Sequence, residues 1–491
     1  MSKKVKTLIF SSTGLALLAA LAVILMLTQR GDDKNGGEIP PESEPERIYF
    51  TQLMPEDLVS ISVKNEHGEY TIERSPDGVY NVPVLLGALL NHSKLHTCAR
   101  YMSEFWAREP IEENAENLEQ YGLLENTAAR GLAAFTGGEV LEIYVGDKTP
   151  TPEDMTYVRV IRAGSKDTVY AVWSYLVDWL KESPLQYVSL DVTMSYTDAG
   201  WPRIERFTVD RAGREQYIIE LIPRLDEEEI VINSHRLLAP VAVEVDHHKG
   251  NRVTQGLFGL TAQEVAFVGT ELPEEFAHVF DEPEAAAVMT LNGRDSALII
   301  GSRYFTQNED GENVFAGYYG MHSDHPDVLF IFSPDMLNWL LTFDVESIMA
   351  SMFQRPLIYT VSELIIETPA HTLSFTFTGE SRSDEKYFLD GAQIDTNRLK
   401  DLYIFAISAS AEALFKGEPG EAENMPLLAR YTYRYRDGSP ETVIEFLDAG
   451  SLRSVIAVDG ELRFTTRIGY LTRLEQNLDA FLNNGTIINS W

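Results

Sequence analysis

A single cysteine, Cys98, stands among 491 residues, which excludes an internal disulfide framework and any metal cluster held by several thiolates. Positive charge is scarce too: 40 Lys and Arg face 75 Asp and Glu, a formal net charge of −35. Such a surface repels phosphate backbones instead of releasing their counterions, so nucleic acid is a poor partner. Apolar residues are plentiful, 44% of the chain with 10% aromatic, which excludes a disordered polypeptide. At roughly 100 to 200 residues per domain there is room for about three domains.

From Thr7 to Thr28 no side chain is charged, and Leu15 to Leu27 is apolar throughout. About 22 residues rising 1.5 Å each reach roughly 33 Å, enough to cross a hydrocarbon core of about 30 Å. One transmembrane helix is therefore expected over residues 7–28. Lys3, Lys4 and Lys6 precede it, whereas Arg30 is at once outnumbered by Asp32 and Asp33. The positive-inside bias leaves residues 1–6 as a cytoplasmic tip and puts the bulk of the chain outside the cell membrane, single-pass and extracytoplasmic. A cleavable signal peptide would have an apolar region of about 7 to 15 residues ending in small side chains. Here it ends Ile24-Leu25-Met26-Leu27-Thr28, the end of a retained anchor, and no cysteine follows closely enough for lipoprotein acylation. Residues 29–45, with Gly31 to Pro41 at their centre, are too polar to fold and read as a tether. Beyond residue 30 there remain 36 Lys and Arg against 75 acids, a charge of −39. In an oxidising compartment a lone thiol is best buried, and Cys98, in an apolar helical segment, is expected in the core.

The sequence repeats itself. Tyr121-Gly122-Leu123, a strand pair about Gly137-Gly138, Ile143-Tyr144-Val145-Gly146, two further strands and a closing Tyr175 to Leu180 form one segment. Phe258-Gly259-Leu260, a pair about Asn292-Gly293, Leu298-Ile299-Ile300-Gly301, two strands and Met336 to Leu340 form a second. A third runs from Ala429 to Tyr433 through the turn Asp437-Gly438 to a closing helix with Leu474, Leu478, Phe481 and Leu482. Units of another kind lie between them. Val59 to Val63 alternates at period two, turns at His67-Gly68, returns through Tyr70 to Ile72, and is followed by an amphipathic helix from about Val84 to Trp106. Leu364 to Glu367 pairs likewise with Leu373 to Phe377 ahead of a helix N-capped by Asp395, and Arg206 to Val209 with Tyr217 to Leu221 makes a middle copy. Runs of strands precede helices, so the class is α+β: a transmembrane helix followed by tandem modules of antiparallel sheet with covering helices, at 46–185, 186–342 and 343–491. Trp179 and Trp339 hold matching places in the closing helices and are expected to pack in the core rather than serve as ligand platforms.

The membrane segment, the hairpin Val59 to Glu73, Asn117 to Leu123, and above all Ile143-Tyr144-Val145-Gly146-Asp147-Lys148-Thr149-Pro150 leading to Thr168 to Val172 resemble the bacterial family called domain of unknown function 4340. The resemblance covers about residues 46–185, and the later modules resemble divergent copies; Gly301-Ser302-Arg303 departs from the Gly-Asp-Lys pattern. The family has no assigned catalytic residues. The resemblance implies a membrane-tethered extracytoplasmic protein, often associated with ABC-type transport systems similar to those named for gliding motility.

No motif completes a reactive site. Gly146-Asp147-Lys148-Thr149 has the flavour of a phosphate loop, but Asp147 separates glycine from lysine and Leu141 replaces the earlier glycine; a turn after a strand is expected, with Gly146 at an unusual backbone angle. His92 and His96 share a helix face as two metal ligands would, yet Ser93 stands where a zincin needs Glu. His322, Asp324, His325 and Asp327 are denser, but they fall in a hairpin connection that the first module fills with Ala163 to Asp167; His247-His248 is weaker still. Asn308-Glu309-Asp310-Gly311-Glu312 resembles a calcium loop whose first and twelfth positions, Thr306 and Gly317, lack the carboxylates required. Ser383-Asp384-Glu385-Lys386 has the Ser-x-x-Lys spacing of penicillin-binding enzymes without either partner motif. No catalytic, cofactor or metal residue is therefore assigned, and a non-catalytic binding or scaffold protein is expected, with an envelope protein such as an ABC permease as partner. Two other readings stand beside it. A cell-wall or polysaccharide module is suggested by 22 tyrosines and 6 tryptophans, although the acidic surface disfavours anionic wall polymers. An uncharacterised hydrolase would need a pocket of converging carboxylates or histidines.

Overall fold

A computed structural model describes residues 47–491 except 153, 162–167, 223–232, 355, 380–383 and 490–491. The expected tip 1–6, anchor 7–28 and tether 29–45 lie outside the described residues, as do the connection at 163–167 and Ser383. Among the described residues no helix is long and apolar enough to cross a membrane. The chain divides into two compact units, one of residues up to Glu69 with Thr97–Glu182, the other of Tyr70–His96 with Ser183–Trp491.

Antiparallel sheet dominates, with few helices, in keeping with the α+β reading. A small ribbon pairs β1 (Ile48–Tyr49) with β5 (Trp106–Ala107). The first large sheet contains β2 (Leu58–Asn65), β3 (Gly68–Arg74), β4 (Tyr80–Asn81), β6 (Glu109–Glu112), β7 (Ala129–Phe135), β8 (Val140–Lys148), β9 (Met155–Ile161) and β10 (Val169–Trp173), in the order β4-β3-β2-β7-β8-β9-β10-β6. Helix α1 (His92–Ser103) follows β4. It buries Leu95, Cys98, Ala99 and Met102, the three-and-four spacing of one helix face, so Cys98 is a core residue. α1 is shorter than the expected Val84 to Trp106. Leu86 and Gly87 take left-handed conformations that a helix cannot include, and Asn91 caps the start by accepting from the Lys94 N–H at 3.0 Å.

The second sheet comprises β11 (Ile204–Arg211), β12 (Tyr217–Leu221), β13 (His235–Ala239), β14 (Val243–Val245), β15 (Glu264–Val268), β16 (Ala285–Leu291), β17 (Arg294–Gln307), β18 (Asn313–His322) and β19 (His325–Phe332), ordered β14-β13-β12-β11-β16-β17-β18-β19-β15. Helix α2 (His247–Thr254) lies between β14 and β15 in sequence, and α3 (Asn338–Leu341) and α4 (Val345–Ile348) follow β19. The third sheet holds β20 (Val361–Glu367), β21 (Thr372–Thr378), β22 (Lys386–Leu389), β23 (Ala392–Gln393), β24 (Ala413–Leu414), β25 (Leu427–Tyr435), β26 (Thr442–Gly450), β27 (Arg453–Val458) and β28 (Glu461–Arg467), ordered β23-β22-β21-β20-β25-β26-β27-β28-β24. Helix α5 (Thr396–Ile407) precedes β24 and α6 (Gly469–Leu482) closes the chain. Asp395 caps α5 through the Arg398 N–H, as its position predicts. Phe405 of α5 stacks on Tyr470 of α6 at 4.9 Å, and the Tyr470 hydroxyl, hydrogen-bonded to Tyr431, donates to the Ala406 carbonyl. Leu474, Leu478 and Phe481 of α6 are buried, but Leu482 is exposed because it falls off that face.

The second and third sheets have the same strand order, and the first differs only in lacking the outermost strand beside β4. In each, one meander runs outward from the first strand, a second starts beside that same strand, and the strand made after the helix returns to flank the last one. Two glycines mark equivalent points. A Cβ on Gly146 would lie 2.0 Å from the Tyr121 carbonyl oxygen, and one on Gly301 2.5 Å from that of Val279. Gly146 thus serves close backbone approach inside β8, not the unusual backbone angle expected of it. It follows that the counterpart of Tyr121-Gly122-Leu123 is the segment at Val279, just before β16. Phe258-Gly259-Leu260, matched to it by sequence, instead follows α2 and precedes β15. Short Gly-apolar strings recur by composition, whereas a carbonyl in contact identifies position.

Candidate functional site

Two features of the second sheet gather exposed apolar surface. The first is an arm. β16 pairs with β17 no further than Ile300, and β19 pairs with β18 no further than Tyr318, so residues 301–317 form a ribbon that, beyond the Ser302 N–H bonded to the Val279 carbonyl at 2.9 Å, has backbone partners only within itself. β17 has 14 residues where its counterparts β8 and β26 have 9 each. Residues 303–307 and 313–317, five per strand at about 3.4 Å each, project roughly 17 Å. An isolated two-stranded ribbon is marginal, and side-chain pairs must hold it. Phe305 lies directly opposite Phe315, ring centroids 6.0 Å apart, and Phe315 contacts Tyr318 at 5.1 Å. Phe305, Val314 and Phe315 are 50%, 46% and 39% exposed. The tip is the segment that resembled a calcium loop. Asn308 accepts from the N–H groups of Asp310 and Glu312 at 3.1 and 2.8 Å, and Gly311 takes φ +79°, so a hairpin turn explains the residue types.

The second feature is a cavity of about 840 Å³ at the opposite end of β17, where the turns Asn292-Gly293 and Ser323-Asp324 meet the segment Asp191–Met194. Thr193 holds that segment in place, donating to the Leu257 carbonyl at 2.7 Å and accepting from the Leu260 N–H at 2.9 Å. Met194, Leu257, Phe258, Met289 and Leu291 supply apolar wall; Arg294, Asp295, Asp324 and His325 supply charge or hydrogen bonds.

The four residues of the His322 cluster are separated by their roles. His322 is buried, its Nδ1 accepting from the Asp324 N–H at 3.2 Å and its Nε2 facing Ser296 Oγ at 3.1 Å. Burial lowers its pKa, so the ring is neutral with both nitrogens engaged. His325 Nε2 faces the Val192 carbonyl at 3.0 Å, Asp324 pairs with Arg294 at 3.7 Å, and the Asp327 carbonyl accepts from Gly269. These contacts are those of a two-residue hairpin turn pinned to its neighbours. His92 and His96 are exposed on α1, and His247-His248 open α2. Among the described residues no three His, Cys, Asp or Glu side chains converge as metal ligands would.

Gly146-Asp147-Lys148 ends strand β8 instead of forming a turn, with Lys148 3.9 Å from Asp178 and Lys181 donating to the Gly146 carbonyl. The Glu385 side chain is buried, accepts from Tyr387 and lies 3.8 Å from Lys400, the contacts of a structural carboxylate. Trp179 is buried and donates to the Leu176 carbonyl at 2.9 Å, whereas Trp339 is only half-buried. Sequence reading overlooked the arm; its signal was the longer interval from Gly301 to the next strand than from Gly146, with aromatic residues on both sides.

Together these define an α+β protein of antiparallel sheets in one recurring strand order, with a projecting arm on the second. Residues 80–277 match the model of the family described as Domain of unknown function (DUF4340), and this part of the chain is similar to that family. The match begins at β4 and ends just past Phe276, so it extends beyond residues 46–185, where the resemblance was first drawn, into the second sheet. No curated protein and no solved structure matches the chain.

Proposed function

We propose that the protein is a membrane-tethered extracytoplasmic binding or scaffold subunit, built of three serial copies of one sheet-plus-helix unit and not itself a catalyst. Its partner is an envelope protein, and the permease of an ABC-type transport system is the partner of choice. The arm at 301–317 carries the reading. Extending one hairpin beyond its sheet exposes Phe305, Val314 and Phe315 to water, a cost that a docking surface offsets when it is covered. Glu309, Asp310 and Glu312 crowd the tip, which suits a protein slot with a basic collar and disfavours anionic wall polymer or lipid. The uncharged stretch Thr7 to Thr28 supports the tether.

Crosslinking in intact membranes, followed by capture of the full chain and of a Phe305→Ser/Phe315→Ser variant, tests this. A permease recovered with the first and lost with the second is the expected result. Equal recovery by both, or recovery of no membrane protein by either, overturns it.

A further inference from the structure

We propose that a second cavity, floored by Trp339, binds a small oxyanion carrying a flat apolar group. This goes beyond the scaffold reading and does not depend on it. The cavity, about 690 Å³, lies among α2, α3 and α4, a volume within the range of small-molecule sites. Its polar wall comes from one helix: His248, Lys249 and Arg252, within five residues of α2, all line the opening.

The charge of the lining points to an anion. On a chain of net charge −35, where many arginines are paired with carboxylates, Lys249 and Arg252 lie within 4.0 Å of no acid among the described residues. The lining has one carboxylate, Asp335, against these cations. Two unneutralised cations kept side by side repel one another, and an oxyanion removes that cost while forming charge-assisted hydrogen bonds. Beneath these cations lies the indole of Trp339. Its Nε1–H is shut off from water and has no acceptor, whereas the N–H of Trp179, in the matching place, donates to a backbone carbonyl. A donor closed to water is closed to a ligand oxygen as well, so the indole meets the cavity with its ring carbons.

The apolar half of the ligand is argued from the floor. Gly256 is where it is because a Cβ there would lie 2.1 Å from the Trp339 ring, and Phe207 holds the indole at 6.0 Å. With the ring fixed and Phe343 beside it, the floor is flat and apolar beneath a basic rim. The end of α2 contributes nothing, since Asp246 already occupies the free N–H groups of His248 and Lys249.

The test is ¹⁹F NMR line broadening with the purified full chain and three probes at millimolar concentration: 4-fluorobenzoate, 4-fluorophenyl phosphate and the neutral 4-fluorobenzyl alcohol. Broadening of either anion but not of the alcohol is expected, and which anion binds better identifies the head group. Lys249→Gln/Arg252→Gln, two exposed positions that leave the core intact, should weaken it by at least about tenfold. Trp339→Phe should weaken it by a few-fold, and Arg294→Gln, in the other cavity, should leave it unchanged. The proposal is overturned if neither anion broadens, if the alcohol broadens equally, or if the double variant binds like the parent.

Discussion

Adding one methyl group to Gly146 tests the correspondence between the sheets. In Gly146→Ala the new Cβ falls 2.0 Å from the Tyr121 oxygen and 2.9 Å from Leu123 Cγ; in Gly301→Ala it falls 2.5 Å from the Val279 oxygen and 2.7 Å from Val279 Cγ1. Relief requires a shift of about 1 Å, and the obstacle is backbone carbonyl, which cannot rotate away as a side chain would. Overpacking of this kind costs about 1 to 3 kcal/mol, so roughly 3 kcal/mol is expected at Gly146 and about 2 at Gly301. Gly138→Ala is the control: φ is +88° there but the space is open, and only about 1 kcal/mol of backbone strain is expected. In urea, with a slope of about 2 to 3 kcal/mol per molar, the Gly146 variant should unfold about 1 M earlier than the parent. Trp173 and Trp179 report on the first unit and Trp339 on the second, so fluorescence should assign each loss to its own unit. A Gly146→Ala midpoint at the parent's value, or a larger loss at Gly138 than at either packed glycine, would refute the reasoning.

Burial holds the pKa of His322, and likewise of His235, below the ordinary value near 6.5. The unfolded chain then takes up protons first as the solution is acidified, so these groups give full stability above about pH 6.5 and progressively less toward the lowered native values. His322→Gln should flatten that part of a urea-midpoint profile against pH; a profile unchanged by the substitution would count against the buried neutral ring. Phe305→Ser/Phe315→Ser should change the global urea midpoint by no more than about 0.5 kcal/mol equivalent, because both side chains face water. A cooperative loss of the second unit would show that the arm is part of its core. The Cys98 thiol, buried on α1, should react with a thiol reagent only as fast as the chain opens, and native reactivity at the rate of a free thiol would contradict its burial.

Much of the local structure was legible because it depends on neighbours in sequence. Alternation from Val59 to Val63 gave a strand, Asp395 a cap, and the apolar spacing of Leu95, Cys98, Ala99 and Met102 a buried helix face. Tertiary structure alone decided the rest. Whether a glycine is kept for its backbone angle or for a carbonyl pressed against it depends on a segment some 20 residues away, which is why Gly146 and the partner of Gly301 were misjudged. The arm emerged only where β16 and β19 stop pairing, and the unmet indole of Trp339 only from what surrounds it. Spacing along a chain fixes which side chains share a face; what that face meets is settled by strands and helices distant in sequence, and here the candidate sites lie in those meetings.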